Sequence, residues 1–276
     1  MSSRIDKAKV AEQFGRWANS YDRYCRIQRA MALAVADAAA GIGLPASPAI
    51  LELGCGTASL TGLLARRFPD AEITAIDLAS PMLGRAAENL GSNPRVRFAA
   101  ADAESALWAA GSFDLVCSSA ALQWFEDPIG ALGRLASALR PGGVMLHATF
   151  GPGTFAELFE ILSEAGPGAA GGLSLPAAAF WRRGLPDAGL EPVWAESETA
   201  TLTYPDAASF LAELKSTGAA YSPSAGRGWA GYRMLREAVA RYDRRYRGSA
   251  GVPVTYEVIQ FCCSRAPVPQ RLASVS

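Results

Sequence analysis

Apolar residues recur along this chain in two rhythms. Over residues 7–44 they fall three or four apart, and Phe14, Trp17, Tyr21 and Tyr24 share one side, which predicts helix with an aromatic packing face. From residue 49 the pattern changes to short apolar runs: Ala49 to Leu53, Ala71 to Leu78, Val96 to Ala100, Phe113 to Ser118 and Val144 to Phe150. Such runs, punctuated by glycine, proline or acids and separated by helical stretches, predict buried parallel strands alternating with helices. Pro81 opens one of these helices and another runs from about Pro128 to Leu139. The segment Arg140-Pro-Gly-Gly143 then makes a turn before the fifth run.

Past residue 150 the punctuation marks out further elements. The Gly/Pro-rich Gly166 to Pro176 reads as a flexible break at the mouth of a site, Pro176 to Ala188 as helix, Val193 to Thr203 as extended chain and Pro205 to Thr217 as helix. A second loop, Ser222 to Gly228, precedes an arginine-bearing helix from Trp229 to about Tyr246, and Val254 to Cys263 is a last strand joining the sheet. The chain thus divides into a helical segment covering a site (1–44), a sheet domain (45–264) carrying a cap insertion at about 151–250, and a flexible tail (265–276).

The segment Ala49 to Thr61, AILELGCGTASLT, carries the most chemistry. An apolar strand, an acid and Gly-x-Gly lead directly into a helical stretch. Gly54 and Gly56 let the backbone turn sharply and approach a ligand, and Cys55 between them contributes its backbone rather than its sulfur. A dinucleotide fingerprint needs a third glycine, and that position holds Ser59. Glu52 adds a carboxylate suited to a cationic amine. Asp77 ends the second run about twenty residues on, placed to accept from a ribose diol. Asp102 follows the third run, placed for an adenine amino group. One acid alone would read as a cap or a loop charge. Acids at the ends of successive parallel strands lie where such sheets bind ligands. An adenosyl group bearing a cationic amine describes S-adenosylmethionine (SAM), and a NAD-dependent dehydrogenase is excluded by the missing glycine.

On LELGCGT (51–57), Asp77, AADAE (100–104), FDLV (113–116) and LRPGG (139–143), the chain resembles the class I SAM-dependent methyltransferases. The flanking segments KAKVAEQFGRWANSYDRYCRIQR (7–29), SSAALQW (118–124), GPGTFAEL (151–158), FLAELKSTGA (210–219) and VPVTYEV (252–258) look like the malonyl-acyl-carrier-protein O-methyltransferases of biotin synthesis. The resemblance implies an α/β Rossmann-like fold, a mostly parallel seven-stranded sheet with helices on both faces, plus N-terminal helices and a helical cap. It implies methylation of the free carboxylate of a malonyl thioester, carried on acyl carrier protein or coenzyme A. It also places Leu78, Met82, Ala103 and Ser119 around the cofactor with Glu52, Gly54, Cys55, Gly56, Asp77 and Asp102.

Acceptor chemistry narrows the remaining candidates. Methyl transfer from a sulfonium is an in-line displacement, so alignment and water exclusion dominate. A carboxylate acceptor is ionised at neutral pH and needs no general base. This suits a chain whose single histidine, His147, lies in the strand-like MLHAT and reads as structural. Arg16, Tyr21 and Arg227 are candidates for positioning the acceptor, and Gln123, Trp124, Lys215 and Tyr256 for lining its pocket. A guanidinium fork is the natural grip for a carboxylate. Two alternatives use the same core: a methyltransferase for another small acid or quinone-type acceptor, and a SAM-binding assembly factor of the respiratory NADH dehydrogenase.

Bulk properties add limits. The chain has 276 residues and balanced charge, 26 basic against 26 acidic. No run of uncharged apolar residues is long enough for a membrane span. Five cysteines without C-x-x-C spacing read as reduced structural thiols in a cytoplasmic protein with no metal site. Charge is unevenly spread: residues 1–30 carry seven Lys/Arg against three acids, and 227–247 seven arginines against two. Two basic ends on an acidic core suit an acidic partner such as acyl carrier protein, whereas no stacking platform points to nucleic acid.

Overall fold

The computed structural model describes residues 5–164, 175–217 and 229–265, with the backbone alone over 229–235. Two helices open it, α1 (Lys7–Tyr24) and α2 (Arg26–Gly41), followed by β1 (Ala49–Leu53), α3 (Ser59–Arg67), β2 (Glu72–Asp77), α4 (Ser80–Leu90), β3 (Val96–Ala100) and β4 (Phe113–Ser119). A 3₁₀ turn (Leu122–Trp124) leads to α5 (Pro128–Ala138), β5 (Leu139–Phe150), α6 (Ala156–Ser163) and α7 (Ala178–Asp187). The chain ends with β6 (Leu190–Tyr204), α8 (Ala207–Ser216), α9 (Trp229–Tyr246) and β7 (Val252–Arg265). The local signals explain several starts. Asp6, Asp127 and Asp206 cap α1, α5 and α8 by accepting from the backbone N–H of Lys9, Gly130 and Ser209, and Pro81 and Pro128 lie in the first turns of α4 and α5.

Seven strands form one sheet in the order β3-β2-β1-β4-β5-β7-β6. β1 to β5 run parallel, and β7 is antiparallel to both β5 and β6. The strand order reverses between β1 and β4, so a crevice opens above their carboxyl ends, the usual ligand position in such a sheet. One core lies on the α2–α3 side, with Met31, Val35, Ile50, Leu64 and Leu115, and another on the α5–α7 side, with Leu51, Leu53, Leu132, Trp181 and Phe261.

Three expectations change. The segment 1–44 is not one cover: α2 buries Ile27, Met31, Ala32, Val35, Ala36 and Ala39 in the main core, and only α1 is placed over the crevice. The cap is also smaller than 151–250, because β6 is the sheet's edge strand and α7 packs against it, leaving α6, α8 and α9 as additions. The turn Arg140–Gly143 is absorbed into the start of β5 as an irregularity in its pairing with β4, with Gly142 at φ +78°. Residues 166–174, 222–228 and 266–276 of the expected loops and tail lie outside the described residues.

His147 sits within the sheet, fully buried. Its Nδ1 is 2.8 Å from Ser118 Oγ, its ring packs on Phe261, and burial pulls its pKa down to about 3, so it is neutral. All five cysteines are buried and unpaired. Among the described residues no helix is long and apolar enough to cross a membrane.

Candidate active site

The crevice holds about 760 Å³ of space between protein atoms, part of it open to solvent. Its floor is the loop after β1. Gly54 has φ +66°, and a Cβ there would stand 2.6 Å from the Cβ of Ala121, so glycine is required twice over. Gly56 has φ +55° and Ala58 follows at +70°, the loop's left-handed entry into α3. Asp77, at the end of β2, holds this loop in place. Its Oδ2 accepts from the Gly56 N–H at 2.8 Å and its Oδ1 from the Ala79 N–H at 2.8 Å. A carboxylate has about four lone-pair sites. Asp77 also lines the crevice and keeps acceptor capacity beyond these two bonds.

The walls come from three further segments. Ala101, Asp102 and Ala103 follow β3, while Ser119, Ala120 and Ala121 follow β4. The Ser119 hydroxyl is buried with no hydrogen-bond partner, and Ala120 takes φ +55° beside it, strain placed at the site. From α1, Lys7, Val10, Ala11, Phe14 and Tyr21 close the outer side at helical spacing. Phe14 meets Trp124 edge-to-face at 5.5 Å and Tyr21 at 6.3 Å. Burial pushes the Tyr21 phenol well up, so it stays protonated. The combination fits SAM. A ribose acceptor has spare lone pairs, an orphaned hydroxyl faces the crevice, a glycine floor admits close approach, and apolar walls suit an adenine and a thioether.

The known family labelled Methyltransferase domain matches residues 50–143, the β1 to β5 portion of the sheet. The malonyl-[acyl-carrier protein] O-methyltransferase of Brevibacillus brevis is 34% identical over 264 residues, 92% of this chain and 95% of that one. The chain belongs to the malonyl-[acyl-carrier protein] O-methyltransferase family. It is therefore a SAM-dependent O-methyltransferase by family, with the class I fold. The biotin biosynthesis bifunctional protein BioCD of Bordetella avium is 36% identical over 93% of this chain and 52% of its own length. Among solved structures, a phosphoethanolamine N-methyltransferase of Haemonchus contortus in complex with SAM matches with TM-score 0.53 and 20% identity, over 85% of this chain and 52% of that one. That last likeness bears on the fold alone.

The crevice brings together Tyr21, Gly54, Gly56, Asp77, Leu78, Met82, Asp102, Ala103, Ser119 and Trp124 of the residues expected at the family's site. Six others stand elsewhere. Glu52 does not reach the crevice: it shares its strand face with Ile50, lies buried under the glycine loop and accepts a 2.6 Å bond from the Thr61 hydroxyl. Burial raises its pKa to about 7, opposed by the Thr61 bond. Cys55 points down into the core, and its thiol is raised by the same burial. Arg16 lies off the α1 stripe, exposed and paired with Glu12 at 2.8 Å. Gln123 turns inward, donating to the Ala120 carbonyl and accepting from the Thr149 hydroxyl. Tyr256 shares the β7 face of Val254 and Val258, packed on Phe150 and Phe155 with its hydroxyl 3.4 Å from that of Tyr204. Lys215 is exposed on α8. Arg227 lies outside the described residues.

Asp102 does line the crevice but is already engaged. Lys7 Nζ lies 2.8 and 2.7 Å from its two oxygens, the Glu104 N–H donates to Oδ1 and the Ser105 hydroxyl to Oδ2. Sequence reasoning missed Lys7. The available signal was a cation in the first turn of a helix, against the helix dipole, a placement that calls for an acidic partner elsewhere. The arginines of α9 are likewise less available than their count suggests. Arg245 pairs with Glu160 of α6 and with Glu164, which caps its end, at 3.0 and 2.7 Å, and Arg241 approaches Glu164 at 4.0 Å.

Proposed function

We propose that this protein transfers the methyl group of SAM to the free carboxylate of a malonyl thioester, giving the methyl ester, with acyl carrier protein as the carrier. The observation that carries this reading is the reach of the family likeness: 92% of the chain and 95% of the Brevibacillus relative, so that α1 and the additions around the sheet are matched as well as the cofactor core. Folds of this kind host many acceptors, and the parts outside the core distinguish them. SAM supplies an electrophilic methyl when bound. Asp77 would hold the ribose diol, the Gly54–Gly56 loop would take the amino-acid end, and Ser119 would give its unpartnered hydroxyl to the ligand.

The protein's own contribution is alignment and exclusion of water. Phe14, Tyr21 and Trp124 line the crevice and pack edge-to-face, and in this reading they flank the acceptor and close it off from solvent. A carboxylate arrives ionised, so the neutral His147 and the protonated Tyr21 are not asked to take a proton. Buried, unpaired thiols are consistent with a reducing, cytoplasmic setting.

Incubation of the purified protein with methyl-labelled SAM and, separately, malonyl-acyl carrier protein, malonyl-coenzyme A and malonate tests the reading. Label on a malonyl thioester that is lost on mild ester hydrolysis is the expected result, greatest with the carrier protein. Binding of SAM without transfer to any of the three overturns the acceptor assignment.

A further inference from the structure

Lys7 joins three segments that are far apart in sequence. Its ammonium lies 2.8 and 2.7 Å from the Asp102 oxygens and 2.5 Å from Glu104 Oε2, and 5.9 Å from the Phe125 ring centre. Glu104 is buried and in turn accepts from the backbone N–H groups of Glu126 and Asp127, at 3.1 and 2.6 Å. One cation thus ties the first turn of α1 to the loop after β3 and to the loop before α5. All three lie against the crevice.

The other end of α1 is fastened separately. The Thr57 hydroxyl donates to Asp22 at 2.5 Å, and Asn89 donates to Asp22 at 2.8 Å and to the Thr57 carbonyl at 3.0 Å. Between these anchors, Val10, Ala11, Phe14 and Tyr21 form the crevice's outer wall. Burial opposes both charges, yet the bonds to Asp102 and Glu104 raise the pKa of Lys7, and the bonds from Lys7 and the Glu104 N–H lower that of Asp102, so both are charged at neutral pH.

We propose that Lys7 is a positioning residue for the cofactor, a clamp that seats the first turn of α1 against the adenine end of the crevice. The inference rests on reading the crevice as the SAM site. Both Asp102 oxygens carry two donors each, so an arriving adenine amino group displaces Lys7 from one of them. Glu104 holds the same ammonium independently and keeps the clamp closed while Asp102 turns to the ligand.

The test is calorimetric titration of wild type, Lys7→Met and Lys7→Arg with S-adenosylhomocysteine and with 5′-methylthioadenosine, which lacks the amino-acid end. Lys7→Met is expected to weaken both ligands alike, by about tenfold, the scale of one charge-assisted hydrogen bond. Lys7→Arg keeps the charge and is expected to bind within about threefold of wild type. Hydrogen exchange on the ligand-free Lys7→Met protein should show faster exchange over residues 10–21, with the sheet unchanged. Lys7→Met binding as tightly as wild type, loss confined to S-adenosylhomocysteine, an arginine variant as weak as the methionine one, or unaltered exchange in α1 each overturns the clamp. Wild type failing to bind S-adenosylhomocysteine would instead overturn the cofactor reading.

Discussion

Removal of the Asp77 carboxylate is the most exacting test of the cofactor geometry, because the side chain has two jobs that can be measured apart. It holds the glycine loop and the α4 entry through backbone bonds of 2.8 Å each, and it lines the crevice with acceptor capacity to spare. In Asp77→Ala both backbone N–H groups lose their acceptor. Because the crevice admits water, each should cost near the low end of the usual range, about 1 kcal/mol. The sum of about 2 kcal/mol corresponds to a melting temperature lower by roughly 4–8 °C in a domain of this size. The ribose bonds are a separate quantity. Losing a charged acceptor costs about 1.5–3 kcal/mol, which is roughly tenfold to a hundredfold in affinity. Asp77→Asn divides the two: its single oxygen still takes one loop N–H, so the melting loss is halved while the charge is gone. Calorimetric titration with S-adenosylhomocysteine and thermal melts on both variants give the needed numbers. An Asn variant that melts a few degrees lower yet binds within threefold of wild type would show that Asp77 serves the loop and not the ribose.

Other outcomes follow from the same geometry. Gly54→Ala combines a left-handed backbone with a Cβ 2.6 Å from that of Ala121, so it should lose more than about 2 kcal/mol and most ligand binding, both visible in a melt run with and without S-adenosylhomocysteine. Glu52 is raised from 4.5 to about 7 in the folded protein, so its contribution to stability is fully present below pH 4.5 and is lost as pH rises through 7. Denaturant titrations of Glu52→Gln against wild type should therefore diverge in favour of the variant from pH 5 to 8, by up to about 3 kcal/mol, and parallel curves would refute the burial argument. His147 behaves oppositely: lowered to about 3, its contribution is present above pH 6.5 and is lost as pH falls toward 3, which acid melts of wild type and a His147→Gln variant should separate. Arg244 is exposed on α9 without an ion pair among the described residues, so Arg244→Glu should raise KM several-fold for carrier-bound substrate and leave a pantetheine-linked one unaffected; equal effects would remove α9 from carrier docking.

The strands were legible because a parallel strand buried on both faces has to be apolar nearly throughout, and runs such as Ala49 to Leu53 and Phe113 to Ser118 have no other economical reading. Asp77 was legible for a related reason, as an acid closing one of those runs. Side-chain direction was the harder quantity. Glu52 sits between Leu51 and Leu53, and the two-residue alternation of β1 sends it toward α3 and Thr61, outside the lining of the crevice. Arg16 shares with Tyr21 the segment that the family resemblance sets over the cofactor, yet only a stripe at three- and four-residue spacing reaches the crevice, and Arg16 falls beside it. Lys7 was illegible for a third reason, since its partners are 95 and 97 residues away and no local pattern encodes them.

Under the proposed function, the character of the crevice wall is itself an argument about the acceptor. Asp77 is bound to the loop, Lys7 to two carboxylates, Glu52 lies in the layer below, and the Tyr21 phenol is held protonated. None of these groups stands at the crevice as a ready proton acceptor, so an alcohol or phenol that has to be deprotonated before methylation is poorly served. An anionic acceptor needs no such help and gains from the apolar surroundings. Phe14, Trp124 and Phe125 exclude water from the outer wall, and in low dielectric the attraction between a carboxylate and a sulfonium is far stronger than in solution. As the methyl group moves, both charges vanish together, since the products are a neutral ester and a neutral thioether. An apolar wall therefore favours the charge-cancelling step itself. Phe14 and Tyr21 of α1 in this view set the medium in which the transfer takes place.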